Sequence, residues 1–438
     1  MRLPLSLLLV AVFSSIIAAA FQGQSNVVLV VFEDQVMLKT HSRFVDSLKA
    51  IGKTVEVKQA NSESFDLRAD GEYVYDSIVL LCPTATKMER KLSLDSLVRF
   101  VDAGHNLFVA AGHGYSDYTS KVASSIGVDL DYKRNKMTDH QQPFQSLDDG
   151  SHTIIRAGGL VQSKYLFGDE NIKASDIVFS GPGATLFTDN ELIDKVMWGS
   201  GSCYSTDDSR RPLSKIPRVA GAASVLAAAL STRTESRASY FGSIDTLSND
   251  AFDKAGKKHE KALTSFLAWT VGHAGVLRTR NLVHSSIDDS GSLANEFRVK
   301  DTIKFSIDVQ EWDGGKGVWS PYVADDMQVE FVMLDPWVRE RLHYSGNENG
   351  TYTATIPVPD QIGVYKFNIQ YFRPGLSPIV LMKVVPVRPY LHNEYERFIG
   401  MASPYYASSF SMLIGVFLLG LVILYGNKGE DGEHAKAD

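Results

Sequence analysis

The residues able to do chemistry are few and scattered. Glu33 and Asp34 follow one β-branched run, and His113 stands between Gly112 and Gly114 after another. If those runs are neighbouring strands of a parallel sheet, the three side chains share the crevice outside the carboxyl ends where such sheets bind ligands. Two carboxylates and an imidazole there would suit a sugar-binding crevice. Asp129-Leu130-Asp131 has the D-x-D form with which some glycosyltransferases hold a metal-nucleotide, but three residues of that pattern are expected by chance in 438 residues. Cys203, in Gly199-Ser-Gly-Ser-Cys203, would be a nucleophile only if a histidine approached it. The strand-to-helix elbow that exposes such a group is missing from its neighbourhood. His259 and His273 have no carboxylate at ligand spacing, so no metal site emerges. Asp288-Asp289 and Asp325-Asp326 read as solvated turns.

The missing motifs are equally informative. Glu33-Asp34-Gln35 follows the first apolar run without a glycine, so the close backbone approach of G-x-G-x-x-G is unavailable, and no G-x-x-x-x-G-K-[ST] occurs. No cofactor is expected. Asn349-Gly350-Thr351 is the one N-x-[ST] triplet in the chain and lies in a polar turn before a strand, making Asn349 the glycosylation candidate.

The elements that must position these residues change character along the chain. Asn26 to Phe32 (NVVLVVF) is apolar throughout, as a strand covered on both faces would be. Val36 to Ile51 places Leu38, Phe44, Val45, Leu48 and Ile51 near one helical face, with Gly52 as terminator. Strands at Thr54 to Val57, Ser77 to Cys82 and Leu107 to Ala111, with a helix through Leu94, Leu97, Val98 and Val101 before Gly104, predict a doubly wound α/β domain over 21–150. A second α/β unit over 151–290 is expected to pack on the first. Its strands lie near His152 to Arg156, Ile177 to Phe179, Val196 to Trp198 and Val219 to Leu230, and a helix runs through Leu263, Phe266, Leu267 and Val271. From 291 to 390 the pattern alternates (TIKFSIDV, QVEFVM, VYKFNIQY), predicting an antiparallel β-sandwich. The segment 391–404 then joins it to the next element.

The two ends set the compartment. Met1-Arg2, an apolar stretch from Leu3, and Ala18-Ala19-Ala20 describe a signal peptide over 1–20, cleaved after Ala20. Between Arg397 and Lys428 there is no Asp, Glu, Lys or Arg, and 405–427 is long and apolar enough for a transmembrane helix. Tyr405, Tyr406 and Tyr425 occupy aromatic-belt positions. Signal and span together predict a single-pass type I topology, with a short cytosolic tail over 428–438. Net charge is −7, mildly acidic for this length, so no nucleic-acid footprint is expected. Cys82 and Cys203 are the only cysteines. They could pair in an oxidising compartment, while the run ending in Cys82 favours a buried thiol. Near the membrane, Glu394 and Glu396 beside Arg397 are expected to contact partner chains, and Gly415 and Gly420 could let helices approach.

Longer motifs carry a resemblance. They are Glu311-Trp312-Asp313, Ser320-Pro-Tyr-Val-Ala-Asp-Asp326, Gln328-Val-Glu-Phe-Val-Met-Leu-Asp-Pro336, Val387-Arg-Pro389, Tyr395-Glu-Arg-Phe398 and Tyr405-Tyr-Ala-Ser408. With Phe32-Glu33, Ala110-Ala-Gly112, Gly181-Pro-Gly183, Phe241-Gly-Ser243 and Arg278 to His284, they make the chain resemble the family of oligosaccharyltransferase 48 kDa subunits over nearly its whole length. The resemblance implies an accessory role, with no catalytic residue of its own, in the endoplasmic-reticulum complex that transfers a glycan from dolichyl diphosphate to Asn in N-x-S/T sequons. It implies as partners a multi-spanning catalytic subunit, ribophorin-type subunits and the small defender-against-cell-death subunit. Two other readings stay open: a glycan-binding module using Glu33, Asp34 and His113, and an independent hydrolase using Cys203.

Overall fold

The computed structural model describes residues 26–426 except 62–65, 87, 170, 188–189, 191, 208–215, 287–295, 396 and 398. The signal sequence with Ala20, the tail, Asp288, Asp289 and Glu396 lie outside the described residues.

The first region is built on a ten-stranded sheet. Its labelled strands are β1 (Val27–Phe32), β2 (Thr54–Gln59), β3 (Ser77–Leu81), β4 (Asn106–Ala110), β5 (Ile193–Trp198), β6 (Val225–Ser231) and β7 (Arg237–Phe241). The order across the sheet is β5-β6-β7-β4-β3-β1-β2. From β2 to β7 neighbours run parallel, whereas β6 and β5 add antiparallel.

The apolar runs are explained by two cores, one on each face. Val28, Val30 and Phe32 of β1 pack with Phe44, Val45 and Leu48 of α1 (Ser42–Ala50) and with Phe266 and Trp269 of α4 (Lys257–Thr270). Leu29 and Val31 point the other way, to Leu97, Phe100 and Val101 of α2 (Leu94–Asp102) and Val122 and Ile126 of α3 (Asp117–Ile126). Strand alternation thus feeds two helical layers from one continuous apolar sequence. Each fully buried Val, Leu or Phe contributes about 1.5–3 kcal/mol. Ser93 and Ser116 cap α2 and α3 by accepting from the Ser96 and Thr119 amides, and Gly127 (φ 105°) ends α3 in a conformation that Cβ-bearing residues avoid.

Three expectations are corrected. The helix through Val36 to Ile51 is two helices, Gln35–Thr40 and α1, broken at His41. The buried His41 ring is held between the carbonyls of Met37 and Ile244, at 3.1 Å each, and this long-range bond fixes a non-helical φ/ψ of −114°/22°. Val98 is exposed and Phe100 takes its place in the core. Residues 21–150 and 151–290 do not form separate packed units, because β7 pairs parallel with β4 and carries β6 and β5 into the same sheet. Hydrogen-bonding β7 to β4 satisfies an edge that two separate sheets would leave open.

The second region is β-rich, with two five-stranded sheets. One has the order β8 (Leu277–Ser286), β10 (Thr302–Asp313), β15 (Thr351–Pro357), β14 (His343–Tyr344), with β11 (Val318–Pro321) on β10. The other has the order β9 (Phe297–Arg298), β17 (Ile379–Arg388), β16 (Gly363–Tyr371), β12 (Gln328–Val332), β13 (Pro336–Arg341). Inward residues of both sheets form one core, where Phe367 lies 5.0 Å from Phe305 and 5.1 Å from Phe331 between ring centroids. A purely antiparallel description needs amendment, since β9 pairs parallel with β17. The last described element, α5 (Ser403–Gly426), buries no residue, and its apolar stretch is long enough to cross a membrane.

Candidate functional site

The loops after β1, β3 and β4 carry the polar groups expected there, some of them bonded to one another. Glu33 accepts from the Thr84 hydroxyl on the loop after β3, and its carbonyl accepts from Gln59 Nε2 at 3.0 Å. Asp34 is exposed and precedes the short helix Gln35–Thr40. Gly112 lets the β4 loop lie against Pro83 and Ile244, where a Cβ would come within 2.9 Å of Ile244 Cγ2. The adjacent His113 is exposed, with its pKa lowered by burial and then by Lys136, against an opposing pull from Asp245. The charges acting on His113 therefore come from outside the expected carboxylate pair.

The other candidates are tied into the fold. Arg218 pairs with Asp129 and donates to the Leu130 carbonyl at 3.2 Å. Asp131 is buried and accepts from the Ser205 hydroxyl and, at 2.9 Å, from Asn135 Nδ2. The D-x-D carboxylates thus have protein partners rather than a shared open face. Cys203 is a buried free thiol whose Sγ meets the Gly221 carbonyl and Ser224 Oγ, each at 3.7 Å. Burial raises its pKa, with Ser224 opposing. Cys82 is also a buried free thiol, pushed up to about 12 by burial and secondarily by Glu33. The two cysteines belong to the cores on opposite faces of the sheet.

His259 accepts the Val178 amide at Nδ1 (3.2 Å) and donates from Nε2 to the Thr246 carbonyl (3.0 Å), as a core histidine does. His273 is half-buried. Among the described residues no group of three or more His, Cys, Asp or Glu gathers as metal ligands do. Asp326 is not merely solvated: it accepts from Tyr371 at 2.9 Å and Arg373 Nε at 2.7 Å. These residues help line a cleft of about 390 Å³ with Tyr165 and Lys164 of the first region.

Glu394 was expected to face partner chains and instead holds its own chain. It takes both terminal nitrogens of Arg388, at 2.7 and 2.9 Å, and the Leu391 amide at 2.8 Å. The Arg388 contact chiefly, and then that amide, hold its pKa down at about 2. A bidentate guanidinium fixes direction as well as distance, so the turn leading to α5 is set against β17. Asn349 is exposed, while the sequon hydroxyl of Thr351 donates to Asp308 at 2.7 Å at the start of β15.

Sequence reasoning missed the residue that joins the two regions. Arg237, at the start of β7, is buried and donates to the carbonyls of Trp269 (2.7 Å), Ala274 (2.6 Å) and Gly275 (2.8 Å), and to Ser377 Oγ (3.1 Å). Trp269 Nε1 adds a bond to the Gly375 carbonyl at 2.9 Å. A lone arginine heading an otherwise apolar strand was the available signal. Asp139, which gathers the hydroxyls of Ser200 and Ser202 and the amides of Gln141 and Gln142, had none.

Comparison with known proteins matches this architecture from end to end. Residues 19–272 fit the family described as "OST48, N-terminal domain" and residues 284–427 the "OST48 middle domain". Curated relatives named "Dolichyl-diphosphooligosaccharide--protein glycosyltransferase 48 kDa subunit" include those of Arabidopsis thaliana (34% identical; 91% of this chain and 92% of that one), Caenorhabditis elegans (31%; 92% and 92%) and Danio rerio (32%; 92% and 93%). Solved structures align weakly, as with a carbohydrate deacetylase at TM-score 0.30 and 11% identity over 49% of this chain and 29% of that one. With both parts matched in order and relatives covering nine-tenths of its length, the chain belongs to the family of 48 kDa subunits of the dolichyl-diphosphooligosaccharide–protein glycosyltransferase.

Proposed function

We propose that this chain is an accessory, non-catalytic subunit of the oligosaccharyltransferase complex, needed for its assembly and stability during N-glycosylation in the endoplasmic reticulum. The observation that carries the reading is the full-length kinship with proteins named as the 48 kDa subunit. The side chains support it. Metal-assisted transfer from a lipid-linked donor needs uncommitted carboxylates near the membrane, whereas Glu394 is committed to Arg388. In this reading residues 1–20 are removed after Ala20, the two folded regions stand in the lumen on a doubly wound body and a β-sandwich, α5 spans the membrane and the tail is cytosolic. The partners are the multi-spanning catalytic subunit, the ribophorin-type subunits and the small defender-against-cell-death subunit. Asn349 is glycosylated before Thr351 is captured by Asp308.

Affinity purification of the tagged chain in mild detergent tests this. Co-recovery of the multi-spanning transferase subunit is expected, and depletion of the chain should leave acceptor proteins under-glycosylated. Recovery of the chain without that subunit would sink the proposal. The glycan-binding reading, with Glu33, Asp34 and His113 at the crevice, predicts glycan binding by the purified chain that Glu33→Gln and His113→Ala abolish.

A further inference from the structure

A chain that enters a bilayer crosses the headgroup layer first, and the residues just before its span are the ones that meet it. A single 3₁₀ turn, Gly400–Ala402, runs directly into α5 at Ser403. From Tyr405 to Tyr425 that helix rises about 30 Å at about 1.5 Å per residue, the thickness of a hydrocarbon core. With those tyrosines at its two boundaries, Met401 stands about 6 Å outside the hydrocarbon, within the headgroup layer.

The side chains there are not those of a linker that stands in water. Tyr395, Ile399 and Met401 are 61%, 65% and 90% exposed, and Arg397 is exposed among them. Apolar side chains interspersed with a guanidinium suit a layer that is apolar on one side and carries phosphate on the other. The start of this segment is also fixed to the folded body. Arg388 holds Glu394, and the Glu394 amide donates to the Leu391 carbonyl at 2.9 Å. Arg298 lies over the Tyr390 ring at 5.0 Å, and Tyr390 packs on Tyr395 with ring centroids 5.5 Å apart. Val380, apolar and 53% exposed, sits at the other end of β17, about 26 Å from Arg388 along the strand.

We propose that Tyr395, Ile399 and Met401 form a seat in the phospholipid headgroup layer, which beds the turn between the β-rich region and α5 on the membrane surface. The inference rests on the reading of α5 as the membrane span. Lipid is the occupant because chain continuity sets the depth: Ile399 and Met401 lie within four residues of Ser403, at the head of a helix that buries none of its own residues in the fold. Tyr395 marks the outer limit of the seat, where a ring with an apolar body and a polar tip suits the wet side of the layer. Through the Arg388 clamp the seat holds the last residues of β17 beside the bilayer.

Single nitroxide labels measure the depth. They are introduced in the full-length chain through Tyr395→Cys, Ile399→Cys, Met401→Cys and Val380→Cys, with Leu418→Cys as the marker of the span; Cys82 and Cys203 are buried and stay unlabelled. In phosphatidylcholine nanodiscs, collision with a water-soluble nickel chelate should be about threefold weaker at positions 399 and 401 than at 380, with collision with oxygen stronger and position 395 between. Chelate collision at 395, 399 and 401 equal to that at 380, with 418 shielded, overturns the seat alone. Chelate reaching 418 defeats the span and the seat with it. Labels open to chelate in nanodiscs and shielded only in the complex captured through the tagged multi-spanning subunit would assign these residues to a neighbouring subunit, and shielding in nanodiscs from oxygen as well as chelate would assign them to a second copy; either overturns the proposal. If a labelled variant misfolds, the wild-type chain still decides: phospholipid carrying a photoreactive headgroup should mark the peptide 395–403 and leave 379–388 unmarked, and the reverse pattern sinks the seat.

Discussion

The α/β region and the β-rich region are built around different centres. The first ties several buried polar groups to partners from distant segments: His41 between two carbonyls, Asp139 among two hydroxyls and two amides, Arg237 on three carbonyls and a hydroxyl. The second keeps its centre aromatic, with Phe305, Phe331, Tyr365 and Phe367 packed together. Buried polar networks specify one arrangement because an unpartnered group in low dielectric is costly. The contrast teaches that the first region is fixed by hydrogen bonds between distant segments and the second by the packing of aromatic side chains between two sheets.

The comparison breaks most readily where the regions meet. Arg237→Met orphans three buried carbonyls and Ser377, so the purified chain should lose about 5 kcal/mol. Its single melting transition should split into two; a single, slightly lowered transition would show that Arg237 does not couple the regions. Phe367→Ala should cost about 4 kcal/mol through the cavity left among Phe305 and Phe331. That loss should appear in near-ultraviolet dichroism of the β-rich region, with exchange in β1, β3 and β4 unchanged.

Asp139→Asn should cost about 2 kcal/mol by turning an NH2 donor toward hydroxyl and amide donors. Burial works against the Asp139 carboxylate, but the hydrogen bonds from Ser200, Gln141, Ser202 and Gln142 prevail and its folded pKa is lowered. Its contribution is thus fully present above the ordinary carboxylate value of about 4 and is lost as pH falls through the lower folded value. Denaturation midpoints of wild type and Asp139→Asn should converge in that acid range. The smallest effect belongs to Glu394→Gln, which frees the turn before α5 without unfolding either region. The Leu391 amide should exchange faster, and in wild type the same loosening should set in only as pH drops toward the Glu394 pKa of about 2. Equal exchange rates in the two proteins would remove the clamp from the account.

Much of the fold was legible because its signals are local. The β-branched run at Val27–Phe32, the alternation in Thr302–Asp313 and the uncharged Ser403–Gly426 each declare a burial pattern in one dimension. The surroundings of the candidate residues were half legible. Glu33, Asp34 and His113 do lie after the strands expected, yet Thr84, Lys136 and Asp245, which determine what two of them can do, come from other segments. The helix break at His41 was hidden for the same reason, since its partner Ile244 is 203 residues away.

Taken alone, the sequence determined the alternation of helices and strands, the β character of the later region, the apolar helix near the end and the family, because short-range periodicity and contiguous motifs survive without knowledge of contacts. Only the tertiary structure decided that the first two expected units are one sheet, that Glu394 holds Arg388 and that Arg237 joins the regions. Each depends on which distant groups complete a hydrogen bond, and hydrogen bonds between distant segments leave no period in the chain that makes them.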